Sequence, residues 1–154
     1  MSNIEPIESP IPYSRANVVP ILNEVVHAMD RLLEVDEPTV IDLASLPFAP
    51  GELEQLEEFL GIGELTAELN ALGVSRIRET MYPGVWWLEH RNTADELVGR
   101  YIEITRTPEI LKSQDADIGA GRAKLRLDLD GKQASMDQGS GDASPTQNQQ
   151  ETGK

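Results

Sequence analysis

The hydrophobic positions near the start of the chain recur with the period of an α-helix. Apolar residues three or four positions apart predict an amphipathic helix from about Asn17 to Glu34: Val18, Leu22, Val25, Met29 and Leu32. Asn17 is a favourable N-cap residue, and Pro20 falls in the first turn, where a missing N–H costs little. The segment from Asp36 to Pro38 ends the helix.

A second helix is predicted from about Gly51 to Leu60, with Gly61 as its stop. Its two faces differ in character: Leu53, Leu56, Phe59 and Leu60 form an apolar face, and Glu52, Glu54, Glu57 and Glu58 form an acidic one. We interpret the acidic face as solvated. If this face binds a ligand, a basic peptide is the natural one.

Between and after these helices the pattern changes to the period of a β-strand. A short β-branched segment, Thr39–Leu43, lies between prolines, and four further segments follow with Gly-containing or polar turns: 65–69, 74–81, 85–90 and 100–105. Residues 93–98 fit either a loop or a short helical turn, and residues 107–111 fit a last helical turn. The order of elements predicts an α+β fold, with helices packed on one face of a small, mostly antiparallel sheet.

Composition divides the chain into three parts. Residues 1–16 form an N-terminal arm, residues 17–112 a single α+β domain, and residues 113–154 a polar tail that we expect to be disordered, because Ser, Gly, Gln, Asp and Thr dominate there. Within the tail, Leu125–Leu129 alternates apolar and charged residues. This segment fits either a floppy tail or a weak edge strand.

Charge and cysteine content exclude several classes of function. The chain carries 27 Asp and Glu against 13 Lys and Arg, a net charge of −14, which argues against a nucleic-acid partner. It has no cysteine, so it holds no disulfide, thiolate zinc site or cysteine-ligated iron–sulfur cluster. No signal peptide or membrane-spanning segment is apparent, so we expect a cytoplasmic protein without membrane insertion.

No motif in the chain predicts catalysis, a metal site or a cofactor site. The two histidines, His27 and His90, lie in different predicted elements, and no nucleophile elbow, phosphate-binding loop or His-Glu-x-x-His pair is present. Gly61 and Gly63 fit a turn better than a dinucleotide-binding loop. We therefore predict a protein that acts without enzymatic activity and without a cofactor.

The densest group of chemically distinctive residues surrounds Trp86 and Trp87. Adjacent residues of a strand face opposite sides, which predicts that one indole lies near the surface. Exposed aromatic residues beside Arg and His are typical of contact surfaces, so the predicted partner-binding residues are Arg78, Glu79, Tyr82, Trp86, Trp87 and His90. Three alternatives stay open: both indoles close a small core, Arg78, Glu79 and His90 form a small-molecule or enzymatic site, or the Trp strand mediates homo-oligomerisation.

Several short segments of this chain also occur together in a known family. Pro47–Pro50, Gly61–Ala67, Arg78–Thr80, Pro83–Trp87 and Tyr101–Ile104 with Thr107 and Pro108 follow one another in the same order. Over Leu43 to Leu111 the chain resembles the hydrogenase expression/formation proteins of the HupH and HyaF type. These proteins are accessory to uptake nickel–iron hydrogenases.

The resemblance implies a maturation chaperone. Its expected partners are the precursor of the hydrogenase small subunit, which carries iron–sulfur clusters and an export signal, and other hydrogenase accessory proteins. No enzymatic activity comes with the family. An acidic domain also attracts a basic segment electrostatically, which speeds encounter more than it raises affinity.

Overall fold

A computed structural model of the chain describes residues 17–139, and contacts divide the chain after Leu111 into two compact units. Helices and strands follow in the order α1 (Val18–Val35), β1 (Thr39–Asp42), a 3-10 turn (Leu43–Ser45), α2 (Glu52–Leu60), β2 (Thr66–Asn70), β3 (Val74–Glu79), β4 (Val85–Arg91), β5 (Leu97–Ile104), a second 3-10 turn (Glu109–Leu111) and α3 (Asp115–Gly139).

The first unit is built on one antiparallel sheet with the strand order β1-β5-β4-β3-β2. Strands β2 to β5 form a consecutive meander, and β1 pairs with β5, so β4 lies in the middle of the sheet. The predicted α+β class with an antiparallel sheet is confirmed. Strand β5 begins at Leu97, so the predicted helical turn over residues 93–98 does not form.

Both faces of the sheet carry apolar residues, because β4 begins with four consecutive apolar residues, 85–88, and neighbouring residues of a strand point to opposite faces. Val85 and Trp87 lie with Ile102 and Ile104 in the main core beneath α1 and α2. The opposite face carries a smaller buried cluster of Ile77, Trp86 and Leu88, against which Ala67, Tyr101 and Ile110 pack. The sheet is therefore covered by helices on one face and by its own side chains and the second 3-10 turn on the other.

A buried glutamate links the beginnings of the two helices. Glu52 is only 1% exposed, and its Oε2 accepts hydrogen bonds from Asn17 Nδ2 at 2.7 Å and from the Ala49 N–H at 2.8 Å. The prediction that Glu52 lies on a solvated face is therefore wrong. Asn17 makes no side-chain cap on its own helix and instead contacts this carboxylate and the Pro47 carbonyl. A buried carboxylate is tolerated here because it meets donors.

Two glycines allow the chain to pass tightly from α2 into the sheet. Gly61 ends α2 with φ of +65°, a conformation that L side chains rarely adopt, and its N–H donates to the Glu57 carbonyl. Gly63 lies against the backbone of Thr80, where a Cβ atom would collide with the Thr80 carbonyl, and its N–H donates to the Glu79 carbonyl at 2.8 Å. This Gly-x-Gly sequence forms an irregular connection between α2 and β2.

The second unit contains a helix where the sequence predicted a disordered tail. Helix α3 includes Leu125–Leu129, so the predicted edge strand is wrong. Asp115 and Asp117 in its first turn suit the helix dipole, and Lys124 pairs with Asp128 one turn later at 2.7 Å. Its large apolar side chains are exposed: Ile118, Leu125, Leu127, Leu129 and Met136. The predicted N-terminal arm, residues 1–16, and residues 140–154 lie outside the described residues.

Within residues 17–139, no helix combines the length and the apolar character needed to cross a membrane.

We predict that Glu52→Ala lowers the free energy of unfolding by about 2–3 kcal/mol, because it removes the buried carboxylate that accepts hydrogen bonds from Asn17 and from the Ala49 N–H. Urea unfolding followed by circular dichroism measures this change. The control is Glu54→Ala in the same helical turn, where the side chain is exposed and we expect a change within about 0.5 kcal/mol. Equal losses for the two variants would contradict the role given to Glu52.

Candidate functional site

Three different environments hold the six residues that the sequence selected. Alternation along β3 and β4 places Arg78 and Trp87 on the face beneath the helices. It places Glu79, Trp86 and His90 on the opposite face. Tyr82 belongs to the turn between β3 and β4 and is exposed.

Trp87 is part of the framework beneath the helices. Its ring lies between two guanidinium groups, at 5.3 Å from Arg78 and 5.9 Å from Arg100, and its Nε1 donates to Glu89 at 3.3 Å. Arg78 also donates to the Gly61 carbonyl at 3.0 Å and pairs with Glu57 of α2. These contacts satisfy Arg78 within the fold and fasten the end of α2 to the sheet.

Trp86 is buried as well, so the prediction that one indole lies near the surface is wrong. Trp86 is 5% exposed and Trp87 is 1% exposed. The alternation itself is correct, but each face of the sheet has its own apolar cluster to receive an indole. Trp86 Nε1 donates to the Thr105 carbonyl at 3.0 Å, which satisfies its polar atom. The structure thus agrees with the alternative in which both indoles are buried within the domain.

The proposed polar cluster of Arg78, Glu79 and His90 does not assemble. Arg78 and Glu79 are neighbours on one strand and point to opposite faces. His90 pairs in register with Ser75, four residues from Glu79 along β3, a separation of about 13 Å. His90 Nδ1 lies 2.8 Å from Ser75 Oγ, and the Glu79 carboxylate accepts from the Gly84 N–H at 3.3 Å.

An apolar groove lies along α1 at the edge of the main core: Val25 and Leu60 of the core line it, and so do Leu22 and Met29, which pack against the core. The groove is an open cavity of about 210 Å³, bounded by α2 and by the β3–β4 turn; its lining is Val19, Leu22, Asn23, Val25, Val26, Met29, Phe59, Leu60 and Tyr82. The Phe59 and Tyr82 rings stack with centroids 6.3 Å apart and form one wall. Of the six residues selected from the sequence, Tyr82 is the one in this lining.

The apolar surface continues past Met29 toward the end of α1. Met29 also lines a second depression, of about 370 Å³, together with Leu33, Pro83 and four other residues. Val26 is 55% exposed and Leu33 is 73% exposed, and large apolar side chains of Ile62 and Met81 are exposed near the end of α2 and in the β3–β4 turn. A monomer that exposes several large apolar side chains along one element presents a typical interaction surface.

The composition of α1 itself indicates an apolar surface beyond the one that the core needs. Eleven of the eighteen residues of α1 are apolar. Five of them form the buried core seam: Val18, Ile21, Val25, Ala28 and Leu32. The five residues that each follow one position later form an outer seam: Val19, Leu22, Val26, Met29 and Leu33. A helix that buries one face needs an apolar stripe of only about 100°.

The first unit around this groove is strongly acidic. Residues 17–111 contain eighteen Asp and Glu, six Arg and no Lys, a net charge of −12. Five of the six arginines are paired with carboxylates of the same unit, and Arg31 donates to Thr39 Oγ1. The carboxylates are thus in large excess, and the arginines are already engaged.

One carboxyl on the face opposite the helices has a perturbed pKa. Glu103 of β5 is the register partner of Trp86. Burial, with a further contribution from the charge of Glu109, raises the pKa of Glu103 above its ordinary value. Both effects disfavour the charged form. Among residues 17–139, no three His, Cys, Asp or Glu side chains are arranged to hold a metal ion.

Comparison with known proteins adds the family context. The family model described as the C-terminal conserved region of the HupH hydrogenase expression protein matches residues 16–130. The chain is 31% identical over 118 residues to the hydrogenase expression/formation protein HoxQ of Azotobacter vinelandii. It is 26% identical over 117 residues to the hydrogenase expression/formation protein HupH of Rhizobium leguminosarum bv. viciae. These alignments cover 75% and 76% of this chain but 42% of each relative.

This chain also matches a solved structure, and the match covers nearly the whole of that structure. The structure of the hydrogenase expression protein HupH from Thiobacillus denitrificans ATCC 25259 has 42% sequence identity and a TM-score of 0.72. The match covers 75% of this chain and 96% of that one. The resemblance inferred from the sequence motifs is therefore confirmed, while the chain spans less than half the length of the curated relatives named above.

We predict that Trp87→Ala lowers the free energy of unfolding by about 3–5 kcal/mol, because it opens a cavity in the main core and leaves Arg78 and Arg100 without their ring contact. Tyr82→Ala, in the exposed turn, is expected to cost less than about 1 kcal/mol. Urea unfolding followed by circular dichroism compares the two. A small loss for Trp87→Ala would contradict the framework role.

We predict that Glu103→Gln raises the midpoint of thermal unfolding at about pH 7 and leaves it nearly unchanged at about pH 4. Because folding raises the pKa of this carboxyl, its favourable contribution is complete below the unfolded-state pKa and is lost as pH rises through the folded-state pKa. Differential scanning fluorimetry across this range measures the effect. Glu58→Gln, an exposed site with the same change in charge, is the control. Equal shifts for both variants would contradict the prediction.

Proposed function

This chain belongs to the family of HupH hydrogenase expression proteins, and on that basis we propose that it serves in the maturation of an uptake nickel–iron hydrogenase as a binding protein without enzymatic activity. Its proposed partner is the precursor of the iron–sulfur small subunit or another hydrogenase accessory protein. The proposed site of action is the cytoplasm, before export of the hydrogenase.

The observation that carries this proposal is the apolar groove along α1. Two members of the outer seam of α1, Leu22 and Met29, pack partly against the core, and the other three are exposed. Together with the Phe59 and Tyr82 rings and the nearby Met81 side chain, they leave apolar surface open at the edge of the core. Aromatic and Met side chains are enriched where proteins bind other proteins. Met in particular adapts to apolar partners of different shape. We therefore propose the groove, with Tyr82 and Phe59 as its aromatic wall, as the partner-binding surface.

The shape of the groove favours a protein partner over a small molecule. Its volume of about 210 Å³ is below the range of about 300–1,000 Å³ that is usual for small-molecule sites. Its lining supplies few polar groups, namely the Asn23 amide and the Tyr82 hydroxyl, to orient a small ligand. An open apolar surface along a helix is better suited to bind a line of apolar side chains on another protein.

Affinity capture from hydrogenase-expressing cells tests this proposal. The tagged wild-type chain is compared with Val26→Asp, which places a charge in the middle of the groove, and retained proteins are identified by mass spectrometry. We expect the wild-type chain to retain the hydrogenase small-subunit precursor or a hydrogenase accessory protein, and Val26→Asp to lose it. Because Val26 is exposed, we expect the variant to fold, and thermal unfolding verifies this.

Leu72→Asp is the matched control. Leu72 is a fully exposed apolar residue with φ of +50° in the β2–β3 turn, at the opposite end of β3 from Tyr82, and Asp accepts such a conformation readily. The change in charge equals that of Val26→Asp, so a general electrostatic effect would appear in both variants. Retention of the same hydrogenase proteins by Val26→Asp would exclude the groove, and retention of none by the folded wild-type chain would contradict the proposed function.

A further inference from the structure

The spacing of the outer seam specifies what kind of segment fits the groove. We propose that the groove binds an apolar α-helix of about four turns from a partner protein, with Lys or Arg beside its apolar face. This inference rests on the proposed binding function and deepens it. It follows from three features of the described residues: the spacing of the seam, the hydrogen bonding around it, and the charge beside it.

The outer seam has the spacing of a coiled-coil interface. Its positions, 19, 22, 26, 29 and 33, are separated by three, four, three and four residues, with valine at 19 and 26 and leucine at 22. β-Branched residues at the first position of a heptad, with Leu at the fourth, are typical of two helices that pack side by side. From Val19 to Leu33 the seam extends about 21 Å, which sets the length of a matching helix at about four turns.

Much of the backbone around the groove is already hydrogen bonded within the domain. Residues of α1 and α2 use their backbone groups within the helices. In the β3–β4 turn, the Tyr82 carbonyl accepts from the Val85 N–H and from Thr80 Oγ1, and the Tyr82 N–H donates to Thr80 Oγ1. An extended segment on this surface would find few partners for those of its N–H and C=O groups that face the groove, whereas a helix satisfies these groups internally. The occupant is therefore a helix.

Charge beside the seam selects a basic helix. Asp30 follows Met29 on α1 and occupies the flanking position that forms ion pairs across helix–helix interfaces. Within residues 17–139 Asp30 has no ion-pair partner, and the same is true of Glu58, which precedes Phe59 on α2. Residues 17–111 of the surrounding unit have a net charge of −12. A helix with Lys or Arg at its edges gains from both carboxylates, and an acidic helix is repelled.

The same charges disfavour a second copy of this chain as the occupant. Two outer seams packed against each other would bring together two units of net charge −12 and two copies of Asp30. Exposed like charges at such an interface destabilise it and reduce the rate of association. Self-association is therefore an outcome that would overturn the proposal.

Two synthetic peptides test the inference with the full-length chain. Both carry the same Val and Leu residues at heptad spacing over four turns; one has Lys at the flanking positions and the other has Glu. Fluorescence anisotropy measures their dissociation constants, and circular dichroism measures the helix content gained on mixing. We expect the Lys peptide to bind at least about tenfold more tightly than the Glu peptide, to gain helix on binding, and to lose part of this preference as salt is added.

Variants of the chain assign the effect to the groove. Val26→Asp is expected to weaken binding of the Lys peptide by about tenfold or more, and Leu72→Asp is expected to leave it unchanged. Asp30→Lys keeps the apolar seam and is expected to reduce or reverse the preference for the Lys peptide. Because Asp30 is exposed, this variant changes the charge beside the groove without disturbing the core.

Different results would overturn the inference and the proposed function. If affinity capture depends on Val26 but the two peptides bind equally, or the bound peptide gains no helix, the basic helix is wrong and the proposed function stands. If the Lys peptide binds at the groove but no hydrogenase protein is retained in cells, the proposed function fails alone. Sedimentation that shows a dimer lost in Val26→Asp would identify a second copy as the occupant and overturn the inference.

Discussion

Burial of Trp87 is the constraint on which the rest of this structure depends. The residue lies on the middle strand of the sheet, so its large indole must be covered there, and α1 and α2 provide the cover. Arg78 and Arg100 flank the ring, and Arg78 also binds the carbonyl of Gly61 at the end of α2. Since one guanidinium contacts both the indole and the helix end, the position of α2 is tied to the sheet.

The position of α2 in turn determines the surface beside α1. Phe59 lies near the end of α2 and stacks on Tyr82, and together these rings form a wall beside the outer seam. The sheet covers the core seam, whereas the outer seam is only partly covered: Leu22 and Met29 pack against the core, and the other three residues of this seam stay exposed. A domain that had only to fold would gain solubility from polar residues at those positions. Packing against the core accounts for Leu22 and Met29, and the proposed binding role accounts for the exposed apolar residues of the outer seam.

The period of each segment and the alternation of side chains along a strand could be predicted from the sequence, whereas the pairing of the strands and the surroundings of individual side chains could not. The opposite orientation of Trp86 and Trp87 follows from strand geometry alone. Their burial depends on two clusters assembled from several strands, both helices and the second 3-10 turn, which are distant in the sequence. Glu52 shares the acidic pattern of its helix but meets Asn17, 35 residues earlier, and becomes a buried link. Of the predicted contact residues, Tyr82 alone reached the groove.

The sequence by itself determined the order of helices and strands in the first unit, the α+β class, the acidic charge and, through short ordered motifs, the family. These properties are local or additive along the chain, so they can be predicted without knowing which residues are in contact. Only the tertiary structure decided which of the two seams of α1 is covered, that both indoles are buried, and that Tyr82 and Phe59 form a wall. Each of these depends on side chains brought together from distant positions, because burial is a property of the assembled sheet and helices.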